Sequence, residues 1–189
     1  MRPFFYYRIL ERIYNVGDTW DQLGVSQENA IEFAHKNINP EPKKYTEGLK
    51  YSLEYCLAHS GESINERYRH DRPDSVDLMI ADMVASHTTK VPLVLYRGVC
   101  KSVFLQMRKN AKNMRGVDLY EKSFLQTSLV KGQEHRSEYH LRIYVPSGVH
   151  AVYLGNVNEE QSSYEVDLQY GTKLKVVSID EKYINCKLI

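Results

Sequence analysis

The texture of this chain changes at Pro92. Upstream, apolar residues recur at helical spacing. Asp74 precedes Val76, Met79, Ile80, Met83 and Val84, which fall at i, i+3, i+4, i+7 and i+8 behind a good N-cap. Ser26 opens another helical segment carrying Ile31, Phe33 and Ala34. Asn39-Pro40-Glu41-Pro42 ends it, because the residue before a proline is pushed out of helical space. A segment from Tyr45 to Ala58 sets Leu49, Leu53, Cys56 and Leu57 on one face and stops at His59-Ser60-Gly61. Downstream the apolar residues come in short β-prone runs: Leu93 to Tyr96, Ser123 to Leu129, Tyr139 to Val145, Ala151 to Leu154, Ser163 to Leu168, Lys173 to Ile179 and Tyr183 to Leu188. Turns at Pro146-Ser147-Gly148 and Tyr170-Gly171-Thr172 divide them. One basic amphipathic segment, Lys101 to Arg115, stands between. Helices first and strands after imply an α+β fold. At 189 residues the chain reads as a single domain, mainly helical over 1–92 and mainly β over 93–189.

Composition narrows the function classes. Lys and Arg number 25 against 24 Asp and Glu, so the surface as a whole has no pull toward nucleic acid or an anionic membrane. The three cysteines, Cys56, Cys100 and Cys186, are odd in number and widely spaced, which disfavours a disulfide scaffold and suits a reducing compartment. No Cys-x-x-Cys or Cys/His spacing suggests a metal site. The aromatic opening, Met1 to Arg8, meets charge too early for a signal-peptide core. A soluble protein, cytoplasmic as made, is the expectation, with delivery into a host cell by a specialised route left open.

The candidate chemistry lies in the second half. If Ser163 to Leu168 is extended, Ser163 and Glu165 point one way while Tyr164, Val166 and Leu168 point the other. One face packs, and Glu165 is aimed into whatever lies before the sheet. Arg97 ends an earlier strand just before Gly98, and Gln126-Thr127-Ser128 lies in another. A guanidinium can hold phosphate oxygens, hydroxyls can brace strands, and a carboxylate can accept from a ribose hydroxyl.

This order resembles the ADP-ribosyltransferases of the Arg/Ser-Thr-Ser/Glu type, which include bacterial toxin exoenzymes. Leu95-Tyr96-Arg97-Gly98-Val99 is similar to the family's arginine strand, and Phe124-Leu125-Gln126-Thr127-Ser128-Leu129 to its Ser-Thr-Ser strand. His140 to Leu154 resembles the following hairpin, and Tyr164-Glu165-Val166-Asp167-Leu168 the strand of the catalytic glutamate. Ser63-Ile64-Asn65-Glu66-Arg67 is similar to the helix whose asparagine approaches the cofactor. The resemblance implies a helical lobe packed on a split β-sandwich with an NAD cleft, and NAD as co-substrate without a metal. It implies cofactor binding by Arg97, Gly98, Asn65, Gln126, Thr127 and Ser128. It places Glu165 and Ser163 at the chemistry, with Glu165 on the 2′-hydroxyl of the nicotinamide ribose. The acceptor is a macromolecule, a protein ahead of a nucleic acid, and no membrane is involved.

Three positions depart from the family pattern. Gln126 replaces the first serine, whose hydroxyl touches the catalytic glutamate; an amide can donate the same bond but needs more room. Ser163 stands where arginine-modifying members have Glu and others have Gln. Asp167 stands where a leucine is usual. Two further readings stay open: an NAD glycohydrolase, favoured by Ser163, and a binding module of the same fold without turnover, favoured by Gln126 and Ser163 together.

Overall fold

The computed structural model describes residues 16–48, 50–112, 116–155, 157, 163–180 and 183–189. The opening aromatic stretch, Leu49, and Met114 and Arg115 of the basic segment lie outside them. Helices come first: α1 (Val16–Asp21), a 3-10 turn (Gln27–Asn29), α2 (Ala30–Asn37), α3 (Leu53–Arg69) and α4 (Ser75–Ala85). Then follow β1 (Leu93–Val99), α5 (Lys101–Asn110), β2 (Leu119–Glu121), β3 (Leu125–Ser128), β4 (Tyr139–Val145), β5 (Ala151–Gly155), β6 (Glu165–Leu168), β7 (Thr172–Ile179) and β8 (Tyr183–Leu188). Among the described residues no helix is long and apolar enough to cross a membrane.

The strands run in the order β2-β7-β8-β4-β1-β3-β6-β5. That continuity hides a seam. β1 and β4 are paired over seven residue pairs, from Leu93 with Val145 to Val99 with Tyr139, whereas β1 and β3 meet only at Tyr96 and Ser128. The chain therefore builds two leaves, β5-β6-β3 and β1-β4-β8-β7-β2. The main core lies between them: Leu93 and Leu95 of β1, Leu141 and Ile143 of β4 and Ile184 of β8 meet Leu125 of β3 and Val166 and Leu168 of β6. A second cluster covers the outer face of the small leaf, where Phe124, Val152 and Leu154 pack against Leu57 and Ile64 of α3 and Ile80 and Val84 of α4.

Asp74 caps α4 as its side chain implies. It accepts from Asp77 N–H, and Asp77 reciprocates to the Asp74 N–H. A cap of this kind is worth about 1 kcal/mol. The buried face is nonetheless Asp77, Ile80, Ala81 and Val84, while Val76 and Met79 stand exposed. Arg67 of α3 grips Asp77 through Nε and Nη2 at 2.6 and 2.5 Å and rotates α4 away from the purely apolar face. In α2 the buried residues are Ala30, Ala34 and Asn37, not Ile31, and Ser26 caps the preceding 3-10 turn without a side-chain bond.

The structure corrects other expectations. The segment from Tyr45 to Ala58 is not one helix ended by His59-Ser60-Gly61. α3 begins after Ser52, whose hydroxyl accepts Tyr55 N–H, and runs through that stop with a break only at Ser60. His140 to Leu154 is no hairpin, because β4 pairs with β1 and β8 while β5 pairs with β6. Pro146-Ser147-Gly148 carries the chain from one leaf to the other, held by Gly148 N–H on Thr89 O. Across the Tyr170-Gly171-Thr172 turn the chain likewise changes leaf, since β7 joins β2 and β8.

Candidate active site

At the seam between the leaves a cavity of about 490 Å³ opens. β1 contributes Tyr96, Arg97 and Gly98, β3 contributes Gln126, Thr127 and Ser128, and the start of β6 contributes Ser163 and Glu165. Its remaining wall is the β3–β4 loop, with Gln133, Glu134 and His135. Of the residues expected at the site, all but Asn65 line this one cavity.

Gln126 ties the two charged groups together. Its backbone carbonyl accepts from Arg97 Nη1 at 2.6 Å, and its side-chain Nε2 donates to Glu165 Oε1 at 3.3 Å. The amide finds its space in α3: a Cβ on Gly61 would lie 2.6 Å from Gln126 Nε2. This is why a glycine sits inside a helix where it costs up to about 1 kcal/mol relative to alanine. The larger side chain on β3 and the missing one on α3 are complementary.

The hydroxyls brace β6. Thr127 Oγ1 donates to Val166 O, and Ser128 Oγ lies 2.6 Å from Ser163 O while accepting Val130 N–H at 3.1 Å. These bonds clamp the entry to β6 at an irregular point. The strand begins at Glu165, not at Ser163, and Tyr164 has a φ of 49°. A bulky residue in the left-handed region is strained and is held there by its surroundings, here with Tyr164 O accepting Leu129 N–H at 3.0 Å. Strict alternation therefore does not set the direction of Ser163; the Ser128 clamp does.

Asn65 and Gly98 have structural roles of their own. Asn65 is buried, and its Oδ1 accepts Phe124 N–H at 3.1 Å, so it ties α3 to the start of β3 from outside the cavity lining. At Gly98 a Cβ would lie 2.1 Å from His135 O and 2.9 Å from Ser137 Oγ. The glycine lets the β3–β4 loop cross β1 closely. That loop is fastened by buried Glu134, which accepts Gly132 N–H at 2.6 Å and the Tyr183 hydroxyl at 3.2 Å and sits 2.9 Å from His140 Nδ1. The sequence reading misses Gln133, Glu134 and His135; their one signal is the glycine at 132 that opens the polar run Gln133 to Glu138.

The electrostatics are uneven. Glu165 is 6% exposed and Asp167 is wholly buried. Burial pulls the Arg97 guanidinium below its ordinary value, opposed by Glu121, Asp167 and Glu165, and an arginine stays charged through such a shift. Burial, and then the neighbouring Glu165 carboxylate, push the Asp167 carboxyl well above the usual range against the pull of Arg97. Among the described residues no group of His, Cys, Asp and Glu could hold a metal ion.

A sequence family described as ADP-ribosyltransferase exoenzyme matches residues 30–188. The chain belongs to this family. Its fold is similar to that of Plx2a, an ADP-ribosyltransferase toxin from Paenibacillus larvae, with a TM-score of 0.64 and 18% identity, covering 88% of this chain and 98% of that one. The Clostridium limosum C3 exoenzyme is equally similar, at TM-score 0.64 and 16% identity over 88% of this chain and 96% of that one. C3stau2 from S. aureus, solved with NAD, has a TM-score of 0.56 and 16% identity over 79% and 99%. No curated protein sequence matches. The α+β architecture, with a helical part on a two-leaved sheet, is thus that of the toxin exoenzymes.

Proposed function

We propose that the protein is an NAD-dependent mono-ADP-ribosyltransferase that modifies a protein acceptor and releases nicotinamide. The observation that carries this reading is the single peptide unit and side chain of Gln126, which hold Arg97 and Glu165 in one cleft. NAD fits this donor set: Arg97 offers planar N–H groups to phosphate oxygens, and Glu165 offers a carboxylate to a ribose hydroxyl. When bound, NAD supplies the ADP-ribosyl group and the bond to nicotinamide that is broken. Glu165 stabilises positive charge that develops on the ribose, Gln126 keeps Oε1 of Glu165 in place, and the Ser128 clamp fixes the backbone on which both depend. Arg97, inside the cleft wall, works in a partly desolvated setting where its charge counts for more.

The acceptor we assign is a side chain other than arginine. Ser163 borders the cavity beside Glu165 and can offer one hydrogen bond, but it cannot pair with a guanidinium as a carboxylate does. The test is incubation of the purified protein with labelled NAD and a cell lysate. Label on a protein band supports transfer, free ADP-ribose alone would make it a glycohydrolase, and no nicotinamide release would end the enzymatic reading. With agmatine as acceptor the parent transfers poorly, and Ser163→Glu raises transfer more than hydrolysis. A parent that already modifies agmatine well would remove Ser163 as the selector.

A further inference from the structure

We propose that Asp167 is a positioning residue for Glu165: a protonated carboxylic acid that shares its proton with the Glu165 carboxylate and, together with the Gln126 amide, sets the direction in which that carboxylate faces. The inference rests on the reading of Glu165 as the carboxylate that meets the ribose.

Two of the three departures from the family pattern prove to be one structural unit. Gln126 and Asp167 are directly paired across β3 and β6, and Ser128 is paired with Glu165. Paired residues share a face, so Gln126, Asp167 and Glu165 stand together on the side of the small leaf where Val152, the partner of Asp167 on β5, packs toward α3 and α4. Asp167 has no exposed surface, and neither of its oxygens finds a hydrogen-bond donor among the described residues. Within its hydrogen-bonding reach is the Glu165 carboxyl. Two carboxyl groups facing each other without a donor between them require a proton.

The surroundings decide which group keeps that proton. Glu165 borders the cleft and receives the Gln126 N–H, which favours its ionised form. Asp167 lies deeper. The charged groups acting on it are Glu165 on its own strand and Arg97 of β1, while β3 and β5 oppose it with neutral Gln126 and Val152. From α3, Gly61 lies against Gln126. Arg97 itself also feels Glu121 and Arg69, which lie beyond it. Burial and Glu165 both disfavour a charge on Asp167, so its acid form donates upward to Glu165. Glu165 then receives both the Gln126 amide and the Asp167 acid proton, and arrives ionised with its orientation set. As pH rises and Asp167 ionises, the donor becomes a second buried negative charge and Glu165 is pushed off its position.

The first test needs no NAD. Infrared difference spectra between the parent and Asp167→Asn at neutral pH should contain the carbonyl stretch of a protonated carboxylic acid in the parent alone. A parent without that band overturns the proposal. The second test is the pH profile of nicotinamide release. The parent should lose kcat on an alkaline limb, and Asp167→Asn, whose amide donates but has no proton to lose, should keep most of the rate and lack that limb. Asp167→Leu should lose about 10-fold or more in kcat, with KM for NAD within about twofold, as expected for one hydrogen bond to a charged group. The same alkaline limb in Asp167→Asn, or an Asp167→Leu protein as fast as the parent, overturns the positioning role. If no nicotinamide is released at any pH, the reading of Glu165 fails, and the infrared band still decides whether Asp167 holds the proton.

Discussion

Arg142 of β4 is 4% exposed and is met on every side. Its Nε and Nη2 donate to Asp21 at 2.8 and 2.9 Å, and Nη1 reaches Asn185 at 2.6 Å and Asp180 at 3.1 Å. The Tyr183 ring lies 4.6 Å from its guanidinium carbon. Asp167 of β6 is buried at least as deeply, yet it has no donor among the described residues. One buried charge is fully answered by partners from α1, β8 and the turn before it. Asp167 is left instead to a second carboxyl group and the charge of Arg97. The first arrangement holds three elements together and ends there. The second keeps a group whose state can change, and it lies beneath the cleft, as expected where perturbed acids serve chemistry.

The largest effect should come from breaking the answered cluster. Removing one partner of a buried ion pair costs about 3–5 kcal/mol because the others are left uncompensated. Arg142→Ala should therefore lower Tm by roughly 6–20 °C for a chain of this size. Calorimetry checks it. A drop of only a degree or two would mean that Asp21 and Asp180 find other partners, and the contrast between the clusters would lose its structural side.

Glu165→Gln tests the other side. The change is nearly isosteric, so Tm should stay within a few degrees, while nicotinamide release should fall by about 10²–10³-fold, the usual loss when one stabiliser of transition-state charge is removed. A variant that turns over like its parent would show that the cleft's buried charges do nothing for the reaction.

How much of this was legible in the sequence depends on how local each cause was. The Asp74 cap, the β texture beyond Pro92 and the order Arg97, Gln126-Thr127-Ser128, Glu165 are written in neighbouring residues, and they point to the correct fold and family. Features set across the chain were not legible. Gly61 looks like a helix stop until Gln126, 65 positions later by number, is found filling its missing side chain. Two strands joined by Pro146-Ser147-Gly148 look like a hairpin, because nothing local says that β4 and β5 enter different leaves. Tyr164 reads as a strand residue, whereas the clamp from Ser128 to Ser163 and the Leu129 bond, both set by β3, hold it at a positive φ. The loop residues Gln133, Glu134 and His135 carry no periodicity by which to find them.

Gly61 also yields a smaller prediction in which stability and activity move apart. In Gly61→Ala the new methyl takes the place of the Gln126 amide, the end of a flexible side chain that can swing away. Helix propensity favours alanine by up to about 1 kcal/mol, so Tm should hold or rise. Loss of the amide bond to Glu165 should reduce kcat by about 10-fold. Adding Gln126→Ser makes room again and should recover part of the rate. A single variant with unchanged kcat would show that the Gln126 amide does not orient Glu165.

The smallest effect separates the two clusters by the sign of their pH dependence. Burial works against the charge on Asp21, but the Lys131 hydrogen bond and the Arg142 charge hold its carboxyl below the usual value. A depressed acid contributes stability that is present above the unfolded value, roughly 3.9, and is lost as pH falls. Asp167 is raised, chiefly by burial and then by Glu165. The folded state then holds a proton that the unfolded chain has released, so its contribution is full below the unfolded value and drains away as pH rises toward the folded one. The parent should thus lose Tm on both sides of a middle range, the acid side through carboxylates such as Asp21 and the alkaline side through Asp167. Asp167→Asn removes only the second loss. Its Tm should gain on the parent as pH rises above about 4, the unfolded value, while the two acid limbs stay parallel. Curves parallel over the whole range would mean that Asp167 is already ionised in the folded protein, and that the cleft answers its buried charge as completely as β4 answers Arg142.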